Sequence, residues 1–279
     1  MSQITPVVCA VLIDKDGKCL LSSRPEGKVY AGWWEFPGGK MEAGETIKET
    51  IEREMWEELG MVIKEVAPWV TLTHVYAHAT VRLHFVRVWH WEGAPRAREK
   101  QQFGFFSLDQ WPTPVLDASK PIAKWLSLPV HWLRLEGENP DWEKLKERHF
   151  DGIMLGERYA KDIDRIKEVL AQTGFKECWV SARADSSVQQ KADGVYARVD
   201  ELSAVAHSRI AVEVSDDDWS AVDKAGALFA LAPSSVQVGS SAWQRLFENN
   251  PVPLYATNVR LSSDRFLRPH GANGWIETI

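Results

Sequence analysis

Residues 39–61 read GKMEAGETIKETIEREMWEELGM, and this stretch decides the fold of the first half of the chain. Thr46 followed three residues later by Glu49 is a capping box, which predicts a helix starting near residue 46. Gly60 is placed to stop it, because glycine takes the left-handed backbone of a helix C-terminus without steric cost. Ile47, Ile51, Met55 and Leu59 recur every four residues and form the buried stripe. Glu54, Glu57 and Glu58 stand at i, i+3 and i+4, so at roughly 100° per residue they share one arc of the helix. Three carboxylates on one arc repel one another. A hard divalent cation compensates them, and Mg²⁺ in particular binds through a few carboxylates together with substrate phosphates. Arg53, on the same helix, is able to hold Glu45 of the preceding loop through a bidentate pair. A Glu-rich helix on its own is most often a solvated face. Here Gly38-Gly39-Lys40 and Glu45 match at fixed spacing as well, which leaves that reading poor.

Working outward, residues 6–13 (PVVCAVLI) and 18–23 (KCLLSS) flank the turn Asp14-Lys15-Asp16-Gly17, which predicts a β-hairpin. Strand-like runs follow the helix at 68–76 and 80–91. In the second, Val81, Leu83 and Phe85 alternate with Arg82, His84 and Arg87, the period of a half-buried strand. Residues 117–126 (DASKPIAKWL) read as a short closing helix, and SLPV at 127–130 ends the pattern.

The segment 39–61 resembles the Nudix box, with Gly39, Glu45, Arg53, Glu54, Glu57, Glu58 and Gly60 all in place. The flanking words EFPGGK (35–40) and WEGAP (91–95) are similar to the MutT-like 8-oxo-dGTP diphosphatase subgroup. The resemblance covers residues 1–128 and implies an α/β/α sandwich with a mixed sheet. It implies a Mg²⁺-dependent hydrolase, with Mn²⁺ as the alternative ion, that cleaves nucleoside triphosphates to nucleoside monophosphate and pyrophosphate. By the same resemblance the metal ligands are Glu54, Glu57, Glu58, Glu99 and the carbonyl of Gly38. Arg53 and Glu45 form the orienting pair, and Glu54 or Glu99 is the general base. Arg24 and Lys40 are the candidate phosphate contacts, and Phe36 is a candidate stacking surface together with Trp33-Trp34. Where the MutT pattern has a purine-reading asparagine two residues before a proline, this chain has Ser119, with Asp117 nearby. Serine has one hydroxyl and cannot make the same bidentate contact, so Asp117 is the candidate substitute.

From His131 onward short strands alternate with helices, which argues for a parallel sheet. The candidate strands are 132–135, 152–155, 178–182, 194–197, 209–214, 228–231, 253–256 and 274–277. Eight such units close a (β/α)8 barrel, although 131–279 is short for one. An open doubly wound sheet is the alternative. The order of segments in 131–279 is similar to the thiamin-phosphate synthase/TenI barrel, with degraded motifs. Thr257-Asn258-Val259 stands where that family has phosphate-binding glycines, and Glu213 with Asp216–Asp218 stands where it has a serine and a histidine. The expectation is a barrel without synthase activity that serves as a ligand-binding or interaction module.

Composition sets outer bounds. The 279 residues carry 14 tryptophans and 44% hydrophobic residues, which excludes a disordered chain. No apolar run is long enough for a membrane helix, and Asp14 and Lys15 come too early for a signal peptide. A net charge of −6 argues against a duplex-DNA binder. Cys9, Cys19 and Cys178 form no CxxC pair and read as packing residues in a reducing, cytoplasmic setting without structural zinc. His74, His78, His84 and His90 read as pocket-rim or surface residues. A monomer or a homodimer is expected.

Overall fold

The computed structural model describes residues 4–138, 140–214, 219–233, 235–257 and 272–279. It divides into two compact units, Met1–Ser127 and Leu128–Ile279.

In the first unit a mixed sheet runs in the order β4 (Gly38–Lys40), β1 (Ile4–Leu12), β6 (Ala79–Glu92), β5 (Val62–Tyr76). β1 pairs antiparallel with β4 and parallel with β6. A smaller sheet joins β3 (Trp34–Glu35), β2 (Cys19–Ser23) and β7 (Phe103–Phe106). The expected hairpin of 6–13 with 18–23 does not form as a ladder. Only the single bridge Ile13↔Cys19 joins the two, because β1 is claimed on both edges by β4 and β6 while β2 pairs with β3 and β7. The helix α1 spans Ile47–Leu59. Thr46 and Glu49 exchange side-chain and backbone hydrogen bonds, and Gly60 ends the helix at φ 66°. Ile51, Met55 and Leu59 are buried against Val8, Ala10, Leu12, Val86 and Val88 of the central strands. On the other face, Trp125 of α2 (Lys120–Leu126) meets Trp69 edge-on at 6.3 Å. Cys9, Leu83 and Phe85 alternate with the α1-facing residues and so turn toward that second face.

The second unit is a closed barrel of eight parallel strands, so the doubly wound alternative is set aside. In order these are β8 (His131–Leu135), β9 (Gly152–Leu155), β10 (Glu177–Ser181), β11 (Gly194–Arg198), β12 (Ile210–Glu213), β13 (Phe229–Leu231), β14 (Leu254–Thr257) and β15 (Gly274–Thr278). β15 closes on β8. The connections are economical. Ser186–Gln189 is a single helical turn between β10 and β11, and Val199–Ala204 is a 3₁₀ segment after β11. The helix expected at 261–268 and the start of the one expected at 217–225 lie outside the described residues.

The barrel closes in so few residues because its lower lumen is filled by large rings. Trp132, Trp179, Phe229 and Tyr255 are fully buried and in contact, with centroid separations of 4.8 to 5.8 Å. Each big ring needs a small neighbour. A Cβ on Gly152 would lie 2.4 Å from Trp132, and one on Gly194 would lie 2.4 Å from Trp179. A Cβ on Gly274 would lie 1.9 Å from the Val130 carbonyl and 2.9 Å from Tyr255. The polar atoms of these rings are satisfied: Trp132 Nε1 and the Tyr255 hydroxyl both donate to the Pro129 carbonyl, at 3.1 and 2.6 Å. All three cysteines are free and buried. Among the described residues no helix is long and apolar enough to cross a membrane.

Candidate active site

The capped α1 carries its glutamates to the edge of β4, where the chain passes through Gly38 and Gly39. Gly38 sits at φ 141°, and a Cβ there would collide with the Val8 carbonyl at 2.1 Å. A Cβ on Gly39 would lie 2.2 Å from Glu54 Oε1. Two glycines are therefore what lets a carboxylate reach the backbone of β4. Arg53 ties the region together. Its Nε and Nη2 donate to the two oxygens of Glu45 at 2.7 and 3.0 Å, and Nη2 also donates to the Lys40 carbonyl at 3.1 Å. Its Nη1 reaches Glu54 at 2.9 Å and Glu57 at 3.1 Å.

Glu54, Glu58, Glu99 and Gly38 line one cleft of about 630 Å³. Gly38 N–H donates to Glu58 at 3.2 Å. The loop bearing Glu99 is fastened to the end of α1: Gln101 accepts from Glu99 N–H and donates to the Glu58 carbonyl, both at 2.9 Å. Arg98 lies 4.3 Å above the Trp56 ring. Glu57 differs from its neighbours. Its side chain is 53% exposed, bonds to Arg53 and is not part of the lining.

The electrostatics follow from crowding. Burial first, then Glu54, Glu35 and Glu99, push the Glu58 carboxyl up to about 8 against the Gly38 N–H. Burial also raises Glu54, with Arg53 opposing. At neutral pH Glu58 therefore takes up a proton unless a cation takes its place. An all-oxygen donor set of two helix carboxylates, a loop carboxylate and a backbone carbonyl suits Mg²⁺ or Mn²⁺. Among the described residues no three acidic, histidine or cysteine side chains are already gathered around one point. The ion would have to draw Glu54 away from Arg53 to complete its shell.

Four of the five expected substrate contacts line the same cleft: Arg24, Phe36, Lys40 and Ser119. The fifth, Asp117, does not; its carboxylate is exposed and held by Lys120 at 2.5 Å, one turn along the same helical segment. Phe36 is buried, packed between Phe85 at 5.7 Å and Trp111 at 5.5 Å. Arg24 Nη1 contacts both oxygens of Glu35 at 2.8 and 2.9 Å, while its Nε donates to the Val29 carbonyl at 2.6 Å. Burial raises the Glu35 carboxyl in spite of that arginine. Trp34 packs on Phe106 and is not part of the lining. Besides Phe36 and Phe85, the aromatic surface of the cleft comes from Tyr30, Tyr76 and His78, whose ring centroids lie 5.6 to 5.8 Å apart. Tyr30 stands at φ 62° in the loop that also carries Arg24. Only His78 of these three carried a sequence signal, as a rim residue. Glu35 stood only within the word EFPGGK, with no role of its own, and Gln101 carried no signal, since each matters through a partner distant in sequence.

A NUDIX domain profile matches residues 8–127. The chain is 34% identical over 104 residues to the 8-oxo-dGTP diphosphatase of Haemophilus influenzae, covering 37% of this chain and 76% of that protein. It is 31% identical over 86 residues to the 8-oxo-dGTP diphosphatase of Proteus vulgaris, covering 31% and 77%. It is 48% identical over 54 residues to the CTP pyrophosphohydrolase of Escherichia coli, covering 19% and 40%. With its box helix, its glycine pair and its acid-lined cleft, the chain belongs to the Nudix family of hydrolases acting on phosphoric anhydride bonds.

Proposed function

We propose that the first unit hydrolyses nucleoside triphosphates to nucleoside monophosphate and pyrophosphate, with 8-oxo-dGTP and dGTP as the leading substrates, and so cleanses the nucleotide pool. The observation that carries this reading is one cleft lined by Glu54, Glu58, Glu99 and Gly38 together with the cations Arg24 and Lys40. Mg²⁺ or Mn²⁺, held by those oxygens with Glu57 at the edge, would neutralise the phosphate chain and acidify a water. Arg24 and Lys40 hold phosphate oxygens. Arg53 holds Glu45 against the helix. Glu54 or Glu99 accepts the proton of the attacking water. Phe36, Tyr76 and Ser119 face the base.

A second reading, a pyrimidine triphosphate, rests on Ser119. Its side chain is buried in the cleft and offers one hydroxyl where the purine-reading pattern has an asparagine. The test is release of pyrophosphate from 8-oxo-dGTP, dGTP, CTP and a panel of other nucleoside diphosphate compounds, with Mg²⁺ and with Mn²⁺. Preference for 8-oxo-dGTP supports the first reading and preference for CTP the second. Turnover of none of them sinks both.

The barrel is proposed to lack thiamin-phosphate synthase activity. Thr257 occupies a position where paired glycines would be needed, and its hydroxyl is bound to the Ala232 carbonyl at 2.8 Å. Thiamin phosphate formed from the pyrimidine pyrophosphate and thiazole phosphate would overturn this. Asp216–Asp218, Asn258 and Val259 lie outside the described residues.

A further inference from the structure

The mouth of the barrel at the C-terminal ends of its strands opens into a second cleft, of about 760 Å³. Its floor is formed by inward-facing residues one layer above the aromatic plug. Trp132, Trp179 and Gly194 belong to the plug, and two residues further along the same strands come Arg134, Ser181 and Tyr196. Arg198 and Glu213 pair in register beside them. Glu136, Glu157, Arg158, Lys161, Arg183 and Glu201 form the rim.

Three features of this floor point to a ligand. Arg134 is only 13% exposed, yet it lies in the lumen, held by Glu136 at 2.7 Å and Glu213 at 3.6 Å. Its guanidinium sits 4.8 Å over the Tyr196 ring. The Tyr196 hydroxyl is buried, and the Arg134 guanidinium beside it can only donate, so the phenol proton has no acceptor among the described residues. The Ser181 hydroxyl accepts from Arg183 N–H at 3.3 Å and keeps its own proton to donate. The floor thus offers O–H and N–H donors with few acceptors among them. Arg183 commits its Nε to Glu201 at 2.7 Å, which leaves its terminal nitrogens directed elsewhere.

The geometry points to a binding site at the barrel mouth for a small molecule with one oxyanion head, a phosphomonoester or a carboxylate, and a body bearing hydroxyl or amino donors. The head sits among Arg134, Ser181, Tyr196 and Arg183. Glu213 and Glu136 accept from the body. Among the described residues the lining holds the cations Arg134, Arg158, Lys161, Arg183 and Arg198 against the acids Glu136, Glu157, Glu201 and Glu213. These cations disfavour a divalent metal ion, and the four glutamates disfavour a pyrophosphate or triphosphate. Burial raises the Tyr196 phenol far above physiological pH, so its oxygen keeps the proton that it would donate.

The experiment is calorimetric titration of the full chain in EDTA with inorganic phosphate, ribose 5-phosphate, serine and pyrophosphate. Saturable binding of ribose 5-phosphate or of serine is expected, and whichever binds identifies the head as phosphate or carboxylate. Inorganic phosphate should bind more tightly than pyrophosphate. Tyr196→Phe should weaken the binding by about tenfold, the scale of a hydrogen bond to a charged group. Should that variant fail to fold, Ser181→Ala and Arg183→Gln carry the same expectation. No binding of any probe, tighter binding of pyrophosphate, or binding left unchanged in all folded variants would overturn the assignment.

Discussion

Glu54, Glu58 and Glu99 all line the Nudix cleft, and of these, among the described residues, only Glu54 is bonded to an arginine. At the barrel mouth, carboxylates alternate with guanidiniums: Glu136 and Glu213 on Arg134, Glu201 on Arg183 and Arg198. The consequence is visible in the acids themselves. Glu58 is lifted to about 8 by burial and its acidic neighbours. Glu201 is held below its ordinary range, because the Arg198 N–H and the Arg183 guanidinium outweigh its burial. Segregated charge calls for a cation from outside. Interleaved charge is close to balanced and selects a ligand largely by hydrogen bonds.

The comparison breaks first in the barrel core. Trp179→Ala should cost about 3–5 kcal/mol, since the ring is fully buried among Trp132, Phe229 and Gly194. Chemical denaturation should show the loss, while pyrophosphate release by the other unit persists. If unfolding is unmoved, the aromatic plug is not what holds the barrel.

Next in size is Glu54→Gln. Turnover should fall by about 10²-fold or more, or about 2.7 kcal/mol on the activation barrier, with the fold intact. A solvated-face role predicts unchanged turnover and slightly better stability, from relief of the repulsion with Glu57 and Glu58.

Gly39→Ala sharpens the point without removing any charge. The added Cβ displaces only the end of the Glu54 side chain. Activity should drop about tenfold through misplacement of that carboxylate, and the melting temperature should barely move. Equal losses in both would mean that Gly39 serves the backbone and not Glu54.

The smallest effect is acid sensitivity. The Glu45 carboxyl is lowered to about 2 by its hydrogen bonds from Arg53 and from the Glu42 N–H. Its folded pKa lies below the ordinary value of 4.5, so its contribution is present above pH 4.5 and is lost as pH falls toward 2. Glu45→Gln should flatten the loss of stability across that window. An unchanged acid-unfolding curve would deny Glu45 a share in holding the loop.

What could be read from sequence was whatever depends on neighbours in the chain. The capping box, the Gly60 stop and the stripe of Ile51, Met55 and Leu59 are local, and the helix stands where they put it. The barrel strands were legible for a similar reason, as short apolar runs bounded by turn residues. The β1–β2 hairpin misled because its turn is genuine while its strands find better partners elsewhere; pairing is a contest among strands, and local signals do not decide it. Asp117 stands in a stretch where the family pattern promised a base contact, but Lys120 three residues on captures it. The aromatic wall of Tyr30, Tyr76 and His78 joins a loop to the tip of a hairpin, and nothing short of the folded chain brings those rings together.

The rings that fill the lower barrel also govern traffic. Trp132, Trp179, Phe229 and Tyr255 shut the lumen from below, so the barrel is a cup and not a conduit. Whatever enters at the mouth must leave by the mouth. The plug beneath the floor, packed ring against glycine, has little room to yield. Any adjustment to a guest therefore falls to the rim, to long side chains such as Arg158 and Arg183 that can swing without disturbing a strand.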